Sequence, residues 1–230
     1  MRIFGHGSLE PGNLINSRES FVRLTTLGID GIELDVRRSA DDELVVIHDP
    51  NYADGRQVSE TAANLRPSGV LLLEEALDTC AGMTINIELK NYPSDTAFDP
   101  TERIAHLLLD LLKERNGDDQ ILVSCFGIDC INRIQRLDPT VQTAHLLISR
   151  RPVGEVIAPA IENGHRVIHP YESMINAEFI GACRAADLAV NVWTDDNESV
   201  DTITALMAAN VDGVITASPK RALRVRDSQV

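Results

Sequence analysis

Short apolar segments alternate with helical patterns along almost the whole 230-residue chain, and this alternation constrains the fold most strongly. The predicted barrel strands are Arg2–His6, Gly31–Val36, Thr84–Lys90, Gln120–Cys125, Val141–Ile148, Arg166–His169, Ala189–Trp193 and Asp212–Thr216. Each is followed by a segment with helical character. Eight such units favour a closed (β/α)8 barrel over an open doubly wound sheet. We therefore predict an α/β protein with one barrel domain over residues 1–230.

One apolar segment departs from this alternation. Leu44–His48 follows the second strand after only a short polar turn at Asp41-Asp42, and so short a link cannot carry a helical crossover. We therefore predict that this segment returns as a β-hairpin arm beside the second strand. An irregular excursion over residues 49–73 follows the arm.

Capping residues predict where two of the helices begin and end. Asn16, with Glu19 three residues later, predicts the start of the first helix, and Gly28 predicts its end. The helix after the third strand is predicted to begin at Asp99-Pro100 and to end at Asn116-Gly117.

The charge balance narrows the range of partners. With 21 basic and 35 acidic residues, the formal net charge is −14, which repels nucleic-acid backbones, so we expect no nucleic-acid partner. No apolar run approaches the roughly 20 residues that cross a bilayer, and the N-terminus lacks a secretory signal pattern. We expect no membrane span and a cytoplasmic location. If the ligand carries phosphate, a bound cation must reverse the acidic field locally, and nothing indicates an oligomeric state.

Two common kinds of site find no support in the sequence. The four cysteines are scattered among apolar or small neighbours, without a Cys-x-x-Cys pair, which indicates buried thiols and not a zinc or redox site. No glycine-rich phosphate loop follows any predicted strand, which disfavours nucleotide binding.

Polar side chains gather at the carboxyl ends of the predicted strands, where barrel enzymes place their sites. Glu33 and Asp35 are two residues apart on the second strand and project from one face, as do Glu88 and Lys90 on the third. Histidines end the first strand and the hairpin arm, and the single tryptophan ends the seventh strand. The side chains expected at the barrel mouth are His6, Glu33, Asp35, His48, Glu88, Lys90 and Trp193.

These residue types suit the cleavage of a phosphodiester. Three carboxylates in a small volume repel one another, and a hard divalent cation, Mg²⁺ or Ca²⁺, relieves that repulsion. Lys90 can pair with a phosphate, and two histidines can serve as general base and general acid. Trp193 can form a wall of the substrate pocket. We predict a small-molecule phosphodiester substrate and one divalent cation.

Each residue taken alone also has an ordinary structural interpretation. A Glu-x-Asp pair on a strand is often a solvated face, and a single tryptophan belongs more often to a core than to a site. His145 and His169 fall within strands, and we interpret both as structural. The functional hypothesis depends on the joint occurrence of the other groups at strand ends.

In their order along the chain, these motifs resemble the glycerophosphodiester phosphodiesterase family. The matching segments are His6-Gly7, Ile32–Val36, Val45–Asp49, Ile87–Lys90, Val192–Thr194 and Asp212–Thr216. The resemblance implies a (β/α)8 barrel that hydrolyses glycerophosphodiesters to glycerol 3-phosphate and an alcohol. The site residues that it implies are Glu33, Asp35 and Glu88 as metal ligands, His6 and His48 as the acid–base pair, and Lys90 at the phosphate.

Two positions depart from the family pattern. Gly7 follows His6 directly where the family usually reads His-Arg-Gly, and Pro11-Gly12-Asn13-Leu14 stands where it usually reads Pro-Glu-Asn-Thr. The missing arginine would be expected to contact phosphate, so we expect a remodelled substrate pocket. The candidates to replace the missing arginine are Arg18, Arg37 and Arg38.

Three other functions stay open at this point. A phospholipase D-like enzyme on the same fold would let a substrate hydroxyl attack and would release a cyclic phosphate. A barrel that binds a phosphorylated ligand without turnover would account for the lost arginine, although a binding protein needs no acid–base pair. An unrelated Mg²⁺-dependent barrel, such as an aldolase, would not need two histidines placed in this way.

Overall fold

Eight parallel strands close into a barrel in the computed structural model, which describes residues 1–7, 15–115, 120–196 and 198–228. The described residues form ten strands: β1 (Arg2–His6), β2 (Gly31–Arg38), β3 (Leu44–Val46), β4 (Leu71–Leu72), β5 (Thr84–Leu89), β6 (Gln120–Cys125), β7 (Gln142–Leu147), β8 (Val167–Pro170), β9 (Ala189–Trp193) and β10 (Gly213–Thr216). The order around the barrel is β1-β2-β5-β6-β7-β8-β9-β10, and β10 pairs in parallel with β1. The predicted (β/α)8 fold is confirmed.

Helices surround the barrel because each crossover between parallel strands needs a long connection, which a helix supplies. In the described ranges they are α1 (Arg18–Thr25), α2 (Leu73–Thr79), α3 (Arg103–Arg115), α4 (Ile128–Leu137), α5 (Val153–Glu162), α6 (Ala177–Ala185), α7 (Val200–Ala208) and α8 (Pro219–Asp227). Short 3₁₀ turns lie at Val58–Glu60, Ala63–Leu65 and Glu172–Met174. No helix in this part of the chain is long and apolar enough to cross a membrane.

The largest apolar core lies between the barrel strands and the helices. On β2, Ile32 and Leu34 are fully buried in this core, while the alternating residues Glu33 and Asp35 project to the opposite face, inside the barrel. Each buried aliphatic side chain contributes roughly 1.5–3 kcal/mol, so the outward faces of the strands hold the helices in place. The inward faces can then carry polar groups. All four cysteines are buried and free, as predicted.

β3 and β4 lie outside the closed barrel. β3 runs antiparallel to β2, with Val46 opposite Val36, and β4 runs antiparallel to β3. A second, smaller apolar cluster that includes Val45 and Tyr52 packs the following excursion against this arm. Because β3 ends at Val46, His48 stands in the loop beyond the strand and not within it.

The first helix begins one residue later than predicted. Ser17 and not Asn16 is the N-cap: its hydroxyl accepts from the Ser20 N–H, and the Ser20 hydroxyl accepts from the Ser17 N–H. Asn16 has a φ of 57°, which excludes it from the extended conformation of an N-cap. The prediction of Asn16 and Glu19 as the capping pair is therefore wrong.

The helix after β5 begins at Arg103, later than the predicted Asp99-Pro100. Asp99 instead closes a turn, in which its carboxylate accepts from the N–H and the hydroxyl of Thr101. Glu102 takes a φ of 56°, which interrupts helical geometry before Arg103. The predicted helix end at Asn116-Gly117 lies outside the described residues, as does the segment Pro11-Gly12-Asn13-Leu14.

Candidate active site

Strand register brings His6 and the predicted carboxylates to the same face of neighbouring strands. In the register, His6 of β1 stands beside Glu33 of β2, and Glu88 of β5 stands beside Asp35 of β2. Residues in register on adjacent strands project to the same side of a sheet. All four side chains therefore project into the barrel near the carboxyl ends of these strands.

Three of these groups form a cluster that can hold a metal ion. One ligand atom from each of His6, Glu33 and Asp35 lies within 4.8 Å of the others, and His6 Nε2 is 3.4 Å from Glu33 Oε2. Glu33 is buried, and neither of its carboxylate oxygens has a hydrogen-bond partner among the described residues. A buried carboxylate without a donor fits a bound cation, since an unpaired buried charge is costly.

The electrostatics of Glu33 agree with this interpretation. Burial raises the pKa of Glu33 well above its usual range, and the negative charges of Asp35 and Glu88 raise it further. The ionised form of Glu33 is therefore unfavourable without a counter-charge beyond Lys90, which only partly opposes these effects. Oxygen donors of this kind suit Mg²⁺ or Ca²⁺.

Lys90 lies between two of the carboxylates. Its Nζ is 2.8 Å from Asp35 Oδ1 and 2.5 Å from Glu88 Oε1, and its side chain is only 5% exposed. Burial raises the pKa of Asp35, but the charges of Lys90, His6 and His48 and the hydrogen bond from Lys90 together outweigh burial, so the pKa falls below its usual range. Asn16 Nδ2 donates to the other oxygen of Asp35 at 2.8 Å. Glu88 is thus engaged by Lys90 and is not one of the three clustered ligands.

Both predicted acid–base histidines are accessible to solvent. The side chain of His6 is 25% exposed and that of His48 is 55% exposed. Nδ1 of His48 lies 2.8 Å from Asp49 Oδ1, which leaves its Nε2 available to a substrate. The charge of either histidine, when protonated, lowers the pKa of Asp35, and a ring nitrogen of His6 lies within 4.8 Å of an Asp35 oxygen.

Known proteins resemble this chain over most of its length. Residues 10–221 match the model of the glycerophosphoryl diester phosphodiesterase family. The chain belongs to this family. It is accordingly a phosphoric diester hydrolase of the glycerophosphodiester phosphodiesterase type.

Curated relatives match along most of their length. A glycerophosphodiester phosphodiesterase from Caldanaerobacter subterraneus is 25% identical, and the match covers 89% of this chain and 89% of that protein. A glycerophosphodiester phosphodiesterase from Bacillus altitudinis is also 25% identical, over 98% of each chain.

Solved structures share the fold at lower identity. An Oleispira antarctica phosphodiesterase in complex with the product sn-glycerol-3-phosphate superposes with a TM-score of 0.86 at 19% identity, covering 99% of this chain and 97% of that chain. A glycerophosphodiester phosphodiesterase from Parabacteroides distasonis gives a TM-score of 0.84 at 20% identity, covering 99% of this chain and 97% of that chain. These likenesses confirm the barrel.

Four aromatic rings of the enzyme contact one another at the ends of β5, β6, β8 and β9. The ring centroids of Trp193 and Tyr171 are 4.5 Å apart, those of Trp193 and Phe126 are 5.9 Å apart, and those of Phe126 and Tyr92 are 5.6 Å apart. The sequence predicted only Trp193 here. The other three each follow directly or closely after a strand, a signal that could have found them.

One member of this aromatic row is tied to a carboxylate. The Tyr171 hydroxyl donates to Asp195 Oδ2 at 2.5 Å. This hydrogen bond, followed by burial and by the charge of Asp195, raises the pKa of Tyr171 to about 12, so the phenol stays protonated at neutral pH. Trp193 has a hydrogen bond of its own, in which its Nε1–H donates to the Leu147 carbonyl at 3.3 Å.

The three arginines considered as replacements for the missing family arginine are each paired. Arg37 binds Asp95 through both terminal nitrogens. Arg38 pairs with Asp42 and lies 3.5 Å from Asp99. The guanidinium of Arg18 donates to the Thr79 hydroxyl and lies 3.9 Å from Glu75. None of the three presents an unengaged guanidinium to a phosphate.

His145 and His169 lie within β7 and β8, as predicted, and both are buried. Burial lowers the pKa of His145, and it lowers the pKa of His169 to about 3. Nε2 of His169 is 3.2 Å from the side-chain nitrogen of Asn191. Both rings are therefore neutral and sit inside the protein, which agrees with the structural interpretation.

Proposed function

We propose that this enzyme hydrolyses glycerophosphodiesters to glycerol 3-phosphate and an alcohol, using one divalent cation and His6 and His48 as the acid–base pair. The observation that carries the proposal is the buried carboxylate of Glu33, without a hydrogen-bond donor in the described residues, beside two accessible histidines. The product complex of the Oleispira antarctica phosphodiesterase supports a small-molecule substrate of this kind. A cytoplasmic location and a single domain over residues 1–230 stay predictions.

The cation would be held by Glu33 and Asp35, with Glu88 as the third carboxylate. Neither oxygen of Glu33 has a donor in the part of the chain that the structure describes, and Asp35 and Glu88 lie within reach of a common positive charge because both contact Lys90. When bound, Mg²⁺ or Ca²⁺ would supply Lewis-acid stabilisation of the phosphate oxygens. The Nζ of Lys90 adds a second positive charge, and we assign it to the phosphate.

The two histidines would divide the proton transfers of the hydrolysis. One imidazole takes a proton from water as the water oxygen bonds to phosphorus, and the other gives a proton to the alcohol oxygen as its bond to phosphorus breaks. Asp49 holds Nδ1 of His48 and so directs Nε2 to the reaction. The aromatic row that includes Trp193 would contact the part of the substrate beyond the phosphate.

Phosphorus NMR of a phosphodiester panel tests this function. Glycerophosphocholine and glycerophosphoethanolamine would be incubated with the enzyme and Mg²⁺, Ca²⁺ or Mn²⁺, with excess chelator as the control. We expect glycerol 3-phosphate as the phosphorus product in the presence of metal and no turnover in chelator. A cyclic phosphate would establish the phospholipase D-like reaction instead, and binding without turnover would establish a non-catalytic barrel.

A further inference from the structure

Arg37 makes an unusual set of contacts at the end of β2. Its Nη1 and Nη2 donate to the two carboxylate oxygens of Asp95 at 3.0 and 2.9 Å, and its Nε donates to the backbone carbonyl of His48 at 2.8 Å. The side chains of Arg37 and Asp95 are 5% and 3% exposed. One buried guanidinium therefore joins the loop of His48 to the loop that follows β5.

The His48 loop needs such an anchor because the strand pairing ends before it. β3 stops at Val46, and the last backbone contact back to β2 is from the Ile47 N–H to the Asp35 carbonyl at 3.0 Å. The imidazole of His48 is mostly exposed, and its hydrogen bond is to the neighbouring Asp49. The contact from Arg37 is thus what ties the His48 backbone to the barrel across a buried surface.

Asp95 is itself firmly placed. Its backbone N–H donates to the Tyr92 carbonyl at 2.8 Å, and its Oδ1 also accepts from the Ala97 N–H at 2.8 Å. Burial raises the pKa of Asp95, but the hydrogen bonds from Arg37 and Ala97, together with the charges of Arg37 and Lys90, outweigh burial and keep this pKa below its usual range. Asp95 lies in the loop that follows β5, five residues beyond Lys90, the predicted phosphate contact.

We propose that Arg37 and Asp95 form a clamp that holds the His48 backbone and thereby sets the position of its imidazole relative to Glu88 and Lys90. This inference rests on the proposed role of His48 in catalysis. Arg37 is a positioning residue, because it contacts the histidine's carbonyl and not the reacting atoms. The planar guanidinium is required because its three donating nitrogens, held in fixed geometry, contact both loops at once. A lysine ammonium cannot make this set of contacts.

A clamp differs measurably from an ion pair that only adds stability. Positioning acts on turnover, and an error of about 1 Å in a catalytic group can cost on the order of 10²-fold in rate. We therefore expect Arg37→Lys and Asp95→Asn each to lower kcat by about 10- to 100-fold. KM should change by less than about threefold, since neither residue contacts substrate. Assays run well below each variant's melting temperature remove any effect of unfolding.

The chain offers a matched control pair. Arg56 binds Asp54 and donates from Nη1 to the Leu65 carbonyl at 2.8 Å, but this arginine–aspartate pair is solvent-exposed and does not contact His48. Arg56→Lys and Asp54→Asn should leave kcat and KM unchanged. If these controls lose as much turnover as the Arg37 and Asp95 variants, the effect is not specific to the clamp and the inference is wrong.

A double-mutant cycle with His48→Ala tests whether the clamp works through that histidine. Once the imidazole is absent there is nothing left to position, so Arg37→Lys should cause no further loss of kcat in the His48→Ala background. Equal losses in both backgrounds would overturn the clamp, as would wild-type kcat in Arg37→Lys or in a folded Asp95→Asn. Normal turnover in His48→Ala alone would remove the acid–base proposal first, and the clamp with it, so the two failures are distinguishable.

Discussion

Two regions of the barrel each contain two histidines, and the two pairs differ in their exposure to solvent. At the end of β1 and beyond the end of β3, His6 and His48 are accessible and lie beside the carboxyl groups of Glu33 and Asp49. Within β7 and β8, His145 and His169 are buried, and burial lowers their pKa values. The same residue type therefore serves different purposes according to its place along a strand. At a carboxyl end it meets water and charge, whereas inside the barrel wall desolvation keeps it neutral.

The largest effect should come from removing the divalent cation that we propose is bound beside Glu33. Because the oxygens of buried Glu33 lack donors in the described residues, excess chelator should abolish turnover, and Glu33→Gln should weaken metal binding sharply. Activity and metal affinity, the latter by calorimetry, are the two measurements. Full turnover of the wild-type enzyme in excess chelator would contradict a metal-dependent site.

Replacing the histidines of each region by alanine, one at a time, sharpens the comparison. His6→Ala and His48→Ala should each lower kcat by roughly 10²–10⁴-fold, because each removes a proton-transfer group. His145→Ala and His169→Ala should lower kcat much less and act mainly on the melting temperature, since they leave cavities in a packed wall. Steady-state kinetics with glycerophosphocholine and thermal melts separate the two patterns. Comparable losses of kcat at all four positions would contradict the assignment of different roles to the two pairs of histidines.

Metal binding should also stabilise the folded protein. A cation that binds the site only when the strands are assembled raises the free energy of unfolding, by about 2.7 kcal/mol at a concentration one hundred times its dissociation constant. We expect Mg²⁺ or Ca²⁺ at millimolar concentration to raise the melting temperature of the wild-type protein and not that of Glu33→Gln. An equal shift in both proteins would place the responsible ion elsewhere.

The buried histidines should make stability depend on pH. His165 is also buried, just before β8. Burial lowers its pKa to about 4, with a smaller effect from the charge of His145, and burial lowers the pKa of His169 to about 3. An unfolded histidine titrates near pH 6.5, so the unfolded chain binds protons first as the pH falls. The contribution of these neutral histidines to the free energy of unfolding is therefore fully present above about pH 6.5. It is lost as the pH falls towards 4 and 3.

Denaturant unfolding between pH 7 and pH 4 measures this loss. Each pKa unit corresponds to about 1.4 kcal/mol, so the wild-type protein should lose several kcal/mol over this range. His169→Asn and His165→Asn should each be less stable at pH 7 but show a shallower dependence on pH. An unchanged slope in both variants would show that other groups control acid unfolding.

The sequence by itself determined the barrel and the principal candidates for its site. Strand alternation is a local property, so the spacing of Glu33 and Asp35 already implied that both side chains share the inward face. Parallel strands also align their carboxyl ends, so residues as distant in sequence as His6 and Glu88 were expected near one mouth. The structure brings these groups together as expected, while their roles in catalysis stay predictions.

Only the tertiary structure decided which partner each polar group takes. Arg37 was a candidate for the phosphate, but Asp95, 58 residues away in sequence, occupies its guanidinium. Asn16 looked like a helix cap, but Asp35 accepts its amide while Ser17 caps the helix. A carboxylate and a guanidinium attract one another at any sequence separation, so the pairing depends on where the folded backbone places them. Local patterns record which face a residue occupies, and they carry no information about which distant loop will lie against it.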